Sequence, residues 1–356
     1  MLHTRLVLFF SLIAGSLNAC TGPDHTHFAE RPPAITDIYS YQSFLSAVGM
    51  VRGGDSSLWI AEADFGSRGT RLHRVKTNGS MNDVHVPSFG CGLSGIAAGP
   101  DGSIWYTAPG QCYPSDNRVG YIGRLMPSGQ IRLYRVPGPR GDIQGIAIDT
   151  QGRIYVGESE ASLIVVRSPT GVFQKYAIKG KNVTSLNAGA RGEVWFAGDN
   201  SLGEFHIGGR TVEYELSPHC SSPVSLIRDR NDKPWFVSRP NYDRSRICHL
   251  SDTGRIEEVS VPSAAGAVGG VALASDGDIW FSADRAVGHI QQGGHVVAYV
   301  IPQSSFPWTY TPTTAGGLII TAADRNLWLQ TTVPGGTGFG ENAALGKFVI
   351  ENERQK

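Results

Sequence analysis

Acidic side chains recur at one kind of position in this chain of 356 residues. Each acid lies at the end of a short apolar segment that contains an aromatic residue, or a few residues after it. The acids are Glu62, Asp64, Glu158, Glu160, Asp199 and Asp284, and the cation Arg239 stands at an equivalent place. Gathered around one axis, Glu62, Glu158, Asp199 and Asp284 could hold Ca²⁺ or Mg²⁺ through oxygen ligands, or the acids could bind a cationic ligand. The alternative is that these acids simply face water, as loop acids generally do.

A second candidate binding feature is the aromatic stretch SFPWTYTP at residues 304–311. Its rings belong to Phe306, Trp308 and Tyr310, and prolines bound the stretch on both sides. Such rings could stack on a sugar or on the surface of a partner protein. They could equally pack over the protein's own sheets, and the sequence leaves both interpretations open.

The candidate residues must be positioned by a structural unit that repeats along the chain. Segments similar to GPDGSIWYT return along the chain at spacings of 46, 50, 40, 40, 45 and 48 residues. A period of about 40 to 50 residues is typical of β-propeller blades. The aromatic anchors are predicted to fill the space between neighbouring blades, and they are Trp59, Trp105, Tyr155, Trp195, Trp235, Trp280 and Trp328. The spacing predicts an all-β fold, a seven-bladed propeller of four-stranded antiparallel blades.

The second repeat shows how one blade is built and how the ring would close. Residues 95–99 and 103–107 read as strands around the tight turn at Asp101-Gly102, and two more strands follow at 121–126 and 130–136. The last repeat has too little chain for a fourth strand. Residues 34–42, AITDIYSYQ, are predicted to complete it and to remove an exposed sheet edge. Residues 34–356 are therefore predicted to be one domain.

The first residues resemble the signal of a bacterial lipoprotein. A short basic start, an apolar run and LNAC at residues 17–20 predict a signal peptide over 1–19, a lipidated Cys20 and a tether over 20–33. Thr21 after that cysteine favours the outer membrane of a Gram-negative host. A plain secretory signal and an uncleaved apolar start are the alternatives. Localisation in the periplasm or at the cell surface is expected, with the lipid as the membrane attachment.

The other four cysteines agree with export. Cys91 and Cys112 occupy nearly the same two places in the second repeat as Cys220 and Cys248 do in the fifth. Disulfides Cys91–Cys112 and Cys220–Cys248 are therefore predicted. A metal site is the competing interpretation, although the spacing is unlike that of zinc ligands.

The recurring pattern GIAxGPDGxIWYT…VGYIGRLxPSGxIxxYxVP resembles the propellers of the streptogramin lyase (virginiamycin B lyase) family, over nearly the whole chain after the signal. The resemblance implies a Mg²⁺-dependent, ring-opening elimination on a cyclic depsipeptide. It also implies a histidine before the Gly-Ile of an inner strand and glutamates near the strand ends of the last blades.

This chain departs from that pattern at the positions that would carry the chemistry. In each of the seven repeats, one residue stands immediately before the Gly-Ile pair of the inner strand or its equivalent, where the histidine would be expected. These residues are Val48, Ser94, Gln144, Thr184, Val224, Gly269 and Gly317. Ala315 and Thr331 stand where glutamates are expected, and His219 lies several residues too early. Without a histidine or those carboxylates, the elimination has no evident proton acceptor.

Two classes of function remain. The first is a monomeric binding module that meets an envelope component or a partner protein through its loops. The second is a divergent metal-dependent lyase or lactone hydrolase acting on a cyclic or sugar-derived substrate. The balance of 31 Lys and Arg against 31 Asp and Glu gives no indication of nucleic-acid binding. No nucleotide-binding or serine-nucleophile motif is present in the sequence.

Overall fold

The computed structural model describes residues 26–28, 34–42, 47–62, 70–88, 92–110, 119–138, 141–189, 192–240, 245–300, 319–321, 326–333 and 342–349. The strands in these ranges are β1 (Thr26–Phe28), β2 (Ala34–Gln42), β3 (Ala47–Arg52), β4 (Leu58–Glu62), β5 (Arg71–Val75), β6 (Met81–His85), β7 (Gly95–Ala98), β8 (Ile104–Ala108), β9 (Tyr121–Leu125), β10 (Ile131–Arg135), β11 (Ile143–Ile148), β12 (Ile154–Glu158), β13 (Leu163–Arg167), β14 (Phe173–Ala177), β15 (Lys181–Ala188), β16 (Glu193–Asp199), β17 (Ser201–His206), β18 (Thr211–Glu215), β19 (Pro223–Arg228), β20 (Pro234–Ser238), β21 (Arg246–Leu250), β22 (Ile256–Val259), β23 (Val268–Leu273), β24 (Ile279–Ala283), β25 (Ala286–Ile290), β26 (Val296–Val300), β27 (Ile319–Thr321), β28 (Asn326–Val333) and β29 (Asn342–Val349). Two short 3-10 helices span Pro218–Cys220 and Ser263–Ala265.

The sheets correct the predicted blade pattern. Among the described residues, six blades have four strands, and the sheet of β23 to β26 has five because β1 pairs in parallel with β26. The prediction of seven four-stranded blades is therefore wrong. The physical reason is that β26 would otherwise present an open row of backbone N–H and C=O groups, which the extended residues Thr26–Phe28 satisfy. These residues lie inside the stretch expected to be tether.

The sheets close into a ring. The inner strands contact one another in the cyclic order β3, β7, β11, β15, β19, β23, β27 and back to β3. β2 pairs antiparallel with β29 and forms the outermost strand of the sheet of β27 to β29, where residues 34–42 were predicted to lie. β2, near the start of the chain, is thus hydrogen-bonded to β29, the last strand described.

Aromatic side chains fill the spaces between the sheets, as the repeat predicted. Trp59, Trp105, Tyr155, Trp195, Trp280 and Trp328 are buried, while Trp235 is partly buried. Trp105 packs against Ile154, Val156 and Val165 of the neighbouring sheet. On the opposite face of the same strand, the buried ring of Tyr106 lies over Gly123, where a Cβ would come within 1.9 Å of the ring. The second strand of the blade is therefore buried on both faces.

The repeated Asp-x-Ser-x-Trp motif forms the same polar cluster in two blades. In the second repeat, Asp101 accepts hydrogen bonds from the backbone and the hydroxyl of Ser103, each at 3.0 Å. Arg124 pairs with Asp101 and donates to the Ser103 hydroxyl, and its guanidinium lies over Trp105. Asp55, Ser57, Trp59 and Arg74 repeat this arrangement. The motif that first marks the repeat therefore fixes the turn between the first two strands of a blade.

Replacing Asp101 with Ala is expected to lower the free energy of unfolding by about 1–2 kcal/mol, because the turn loses an acceptor for the Ser103 N–H and the partner of Arg124. Urea denaturation measures the change. Asp252→Ala, at an exposed turn residue, is the matched control for loss of a surface carboxylate. Equal stability of the two variants would contradict the role assigned to the cluster.

The strand directions give the ring two distinct faces. The turns between first and second strands and between third and fourth strands lie on one side, which we call the hairpin face. Connections between second and third strands and between successive sheets lie on the other side, which we call the loop face. In the part of the chain that the structure describes, no helix has the length and apolar character needed to cross a membrane.

Candidate functional site

The predicted acidic residues that the structure describes all lie on the loop face. Glu62, Glu158 and Asp199 are the last residues of β4, β12 and β16, and Asp284 directly follows β24. Glu62 and Glu158 are buried, Asp199 is exposed and Asp284 is partly buried. Asp64, Phe306, Trp308 and Tyr310 lie outside the described residues. The described acids therefore lie on one face of the propeller, but their side chains enter different surroundings.

Glu62 belongs to a buried network that includes residues the sequence analysis missed. Its Oε2 lies 2.9 Å from Nε2 of His73, and Nδ1 of His73 lies 2.7 Å from Oδ1 of Asp83. Arg71 approaches the other oxygen of Asp83 at 3.0 Å. Glu62 and His73 are each 1% exposed, whereas Asp83 is 38% exposed. The network crosses three strands of one blade and ends in Asp83 at the surface.

The charges of this network shift the pKa values of His73 and Asp83. Burial alone would lower the pKa of His73, but the adjacent carboxylates of Glu62 and Asp83 outweigh burial and raise it above the ordinary value. For Asp83, burial acts to raise the pKa, and His73 and Arg71 together lower it below the usual range. His73 and Asp83 are direct partners across β5 and β6. The hairpin register, with five residues between the two strands, was the sequence signal that could have revealed the pair.

Glu158 supports a connection between two sheets. The backbone N–H of Gly141 donates a hydrogen bond to Oε1 of Glu158 at 3.2 Å. A Cβ at Gly138 would lie 2.2 Å from Oε2, so the carboxylate fills the space beside the chain that leads from β10 to β11. Its role in this arrangement is to hold the connection.

On the loop face, Arg239 and Asp284 both bond to residues 267–269, at the start of the inner strand β23. Arg239 Nη2 donates to the carbonyl of Gly269 at 3.3 Å, on the inner strand β23. The backbone N–H of Ala267 donates to Oδ2 of Asp284 at 2.9 Å. Burial raises the pKa of Asp284, while this hydrogen bond and the charges of Arg285 and Arg239 partly oppose the increase. The pair therefore forms a charged feature beside the inner strand of the β23 to β26 sheet.

The other acids do not join this pair. Asp199 accepts a hydrogen bond from the side-chain amide of Asn182, and Glu160 is exposed in the turn after β12. Within the described ranges, no group of three or more His, Cys, Asp or Glu side chains is arranged to hold a metal ion. The acidic ring that the sequence suggested stays a prediction, and the described acids act locally, each within its own part of the propeller.

The positions before the inner-strand Gly-Ile equivalents hold small or neutral side chains. The hydroxyl of Ser94 lies 2.9 Å from the Thr107 hydroxyl and 2.8 Å from the carbonyl of Ile143 in the next sheet. The amide of Gln144 donates to Asp142 at 3.3 Å. Gly317 and Ala315 lie outside the described residues, and Thr331 is within β28. Ser94 and Gln144 thus connect and orient chain segments.

His219 lies away from the inner strands. It belongs to the 3-10 helix Pro218–Cys220, which packs against the outer strands β21 and β22. Its side chain is 67% exposed, with Nδ1 3.7 Å from Oε2 of Glu258. The helix also carries Cys220, which forms the predicted disulfide with Cys248, and both cysteines are buried. That disulfide is confirmed, while Cys91 and Cys112 lie outside the described residues.

Comparison with known proteins identifies the class of fold. The family model described as "Virginiamycin B lyase family" matches residues 179–337. A streptogramin B lyase structure is 18% identical, covers 86% of this chain and 97% of its own, and has a TM-score of 0.67. Virginiamycin B lyase from Staphylococcus aureus is 16% identical, with 88% and 99% coverage and a TM-score of 0.68. No curated protein matches the chain.

A third similar structure contains a ligand. It is a catalytically inactive His-to-Ala variant of the Staphylococcus aureus virginiamycin B lyase with quinupristin, 17% identical over 88% of this chain and 99% of its own, with a TM-score of 0.66. At these identities the likeness concerns the fold. The class defined by the sheets and these matches is a virginiamycin B lyase-like β-propeller.

Proposed function

We propose that this protein is an exported, lipid-anchored β-propeller that binds an envelope component or a partner protein through its loop face. The observation that carries the proposal is that buried acids of the loop face already interact with other parts of the protein itself. Glu62 is paired with buried His73, and Glu158 holds the Gly141 backbone. Carboxylates already used to hold the protein's own chain favour a binding surface over a metal-dependent active site.

The residues that stand before the Gly-Ile equivalents of the inner strands support the same interpretation. A lyase of the resembled type would need a base beside the central axis, and Ser94 and Gln144 offer only neutral groups there. Arg239 and Asp284, in contrast, place a cation and a carboxylate at the same short segment of the loop face, residues 267–269. Such a pair suits recognition of a polar ligand by hydrogen bonds and charge.

The binding proposal is tested with an Arg239→Ala/Asp284→Asn double variant. We expect this variant to bind isolated envelope fragments of the host about tenfold more weakly than the unmodified protein, because it lacks a cation and a carboxylate of the binding surface. Co-sedimentation is measured with the mature chain carrying Cys20→Ala, so that lipid does not contribute. The matched control is Asp252→Ala/Arg255→Ala, which removes a carboxylate and a cation from one hairpin-face turn. Equal loss in both variants, or no saturable binding, would refute the proposal.

The alternative function is a divergent metal-dependent lyase or lactone hydrolase, which the fold likeness to two lyases favours. We expect no Mg²⁺-dependent opening of quinupristin by the purified protein, because the described inner slots lack a base. Mass spectrometry of the ligand, with Mg²⁺ and with EDTA, measures ring opening against a streptogramin lyase as the positive control. Opening that requires the metal would establish the alternative.

A further inference from the structure

The pairing of β1 fixes where the N-terminal segment leaves the propeller. Thr26 pairs with Val296, His27 with Val297 and Phe28 with Ala298, in parallel. Val296 is the first residue of β26 and directly follows the turn that joins β25 to β26. That turn is on the hairpin face. The chain before Thr26 therefore leaves the fold at the hairpin face, at the edge of the β23 to β26 sheet.

The length of chain between Cys20 and Thr26 limits the distance to the membrane. Six residue steps span at most about 20 Å when fully extended. Reaching the level of the loop face would require this segment to run back along a five-residue strand, about 17 Å, with almost no slack. The hairpin face needs no such return. We infer that, given the acylation of Cys20 proposed above, the hairpin face lies against the lipid surface and the loop face points away from it.

The described hairpin face has a composition that suits a lipid surface. The turns between third and fourth strands carry the cations Lys76, Arg210 and Arg255 and the single acid Asp252 among their described residues. Exposed Val172 and Ile207 also belong to these turns. The acids of the other hairpin-face turns include several that are paired with arginines: Asp55–Arg74, Asp101–Arg124, Asp149–Arg153 and Asp232–Arg228. Asp229, Asp276 and Asp278 also lie in the described hairpin-face turns, so the charges of this face nearly balance. Such a face is not strongly repelled by anionic headgroups, and its apolar tips can contact the lipid surface.

The inference deepens the proposed function because it assigns the loop face to ligands beyond the membrane. A protein held at Cys20 would have its hairpin turns within a tether length of the headgroups. Its Arg239 and Asp284 pair would be a blade height farther out. The anchored molecule would then present its binding surface to soluble or opposing envelope components.

Antibody access to two inserted epitopes tests the orientation. One epitope follows Gly293, in the β25–β26 turn, where a Cβ would meet no atom within 4 Å. The other lies between Pro240 and Ser245, in the loop-face connection from β20 to β21. On vesicles carrying the acylated protein, we expect several-fold weaker antibody binding to the hairpin-face epitope than to the loop-face epitope. Equal access in detergent shows that both epitopes are intact.

A lengthened tether provides the matched control. A Gly-Ser segment of about 20 residues inserted between His25 and Thr26 adds a reach of about 25 Å, so access to the hairpin-face epitope should be restored. Weaker access to the loop-face epitope, or no difference between the epitopes on vesicles, would overturn the inference.

The mass of Cys20 separates this inference from the proposal beneath it. If mass spectrometry finds no acyl group on Cys20, the lipid-anchor proposal fails. The orientation is then measured after coupling the Cys20 thiol of a Cys91→Ser/Cys112→Ser chain to maleimide lipid in vesicles. The same two epitopes give the same two outcomes, so the position of the tether exit is tested in either case.

Discussion

A Glu62→Gln variant is expected to lose about 3 kcal/mol of unfolding free energy at about pH 6, because His73 is then buried beside a neutral amide and keeps one of its two carboxylate partners. The loss should be smaller at a higher pH, such as about pH 9, because the stabilisation from protonated His73 is lost as the pH rises through its raised folded-state pKa. Denaturant titrations at both pH values measure the difference. The prediction is specific to one network and does not depend on what the protein binds.

The sign of the pH dependence follows from His73. Its folded-state pKa is raised above 6.5, so its contribution to stability is fully present below 6.5 and is lost as the pH rises through the folded-state pKa. Asp83 has a lowered pKa, so its contribution is present above its ordinary value of 3.8 and is lost as the pH falls through the folded-state pKa. The network should therefore be strongest between these two limits.

His85→Gln is the control for this experiment. His85 is exposed, lies two residues after Asp83 in the same strand and pairs across the strands with Arg71, so replacing it removes a neighbouring histidine while the contacts among Glu62, His73 and Asp83 stay in place. Its unfolding free energy should follow that of the unmodified protein at both pH values. A Glu62→Gln variant that does the same would show that the carboxylate contributes nothing, and the assigned network would be wrong.

Removing the Cys220–Cys248 disulfide should cost about 3–4 kcal/mol. The bridge closes a loop with a sequence separation of 28, and the cost reflects the greater freedom of the unfolded chain without it. Cys220→Ala with Cys248→Val keeps apolar groups in the cluster that also contains Trp195 and Phe236. Urea denaturation of this variant measures the loss without introducing a free thiol.

Chemical reduction provides an independent comparison for the disulfide. If the chain connection is the cause, dithiothreitol should lower the stability of a Cys91→Ser/Cys112→Ser chain toward that of the same chain carrying the double variant, and leave the latter unchanged. A double variant within about 1 kcal/mol of the oxidised protein would contradict the prediction. Buried cysteines on both sides of the bridge explain why reduction requires local opening.

Much of the fold followed from local sequence signals. Trp105 and Asp101-Gly102 mark a strand and its turn because burial of a large ring and a positive backbone angle are local requirements. Residues 34–42 could be placed in the last sheet because that sheet lacked a strand. β1 could not be predicted this way, since three residues show no alternation and their pairing depends on an edge created by β26.

The candidate site was less accessible to sequence reasoning. The sequence placed Glu62 and Glu158 at strand ends, but not the direction in which each carboxylate turns. The Glu62 carboxylate contacts His73 on the neighbouring strand of its own sheet, whereas the Glu158 carboxylate accepts a hydrogen bond from the Gly141 backbone. These choices depend on neighbours that are distant in sequence. Arg239 of one sheet and Asp284 of the next bond to the same short segment, residues 267–269, for the same reason.

The pairing of β2 with β29 joins residues near the two ends of the chain. During synthesis, Ala34–Gln42 emerge early and must wait until Asn342–Val349 have been made before they find their partner. Such a long-range pairing is slow to form, since the loop it closes includes nearly the whole protein. The nascent chain would therefore carry β2 without its partner strand until β29 has been made, and the ring would close late in folding.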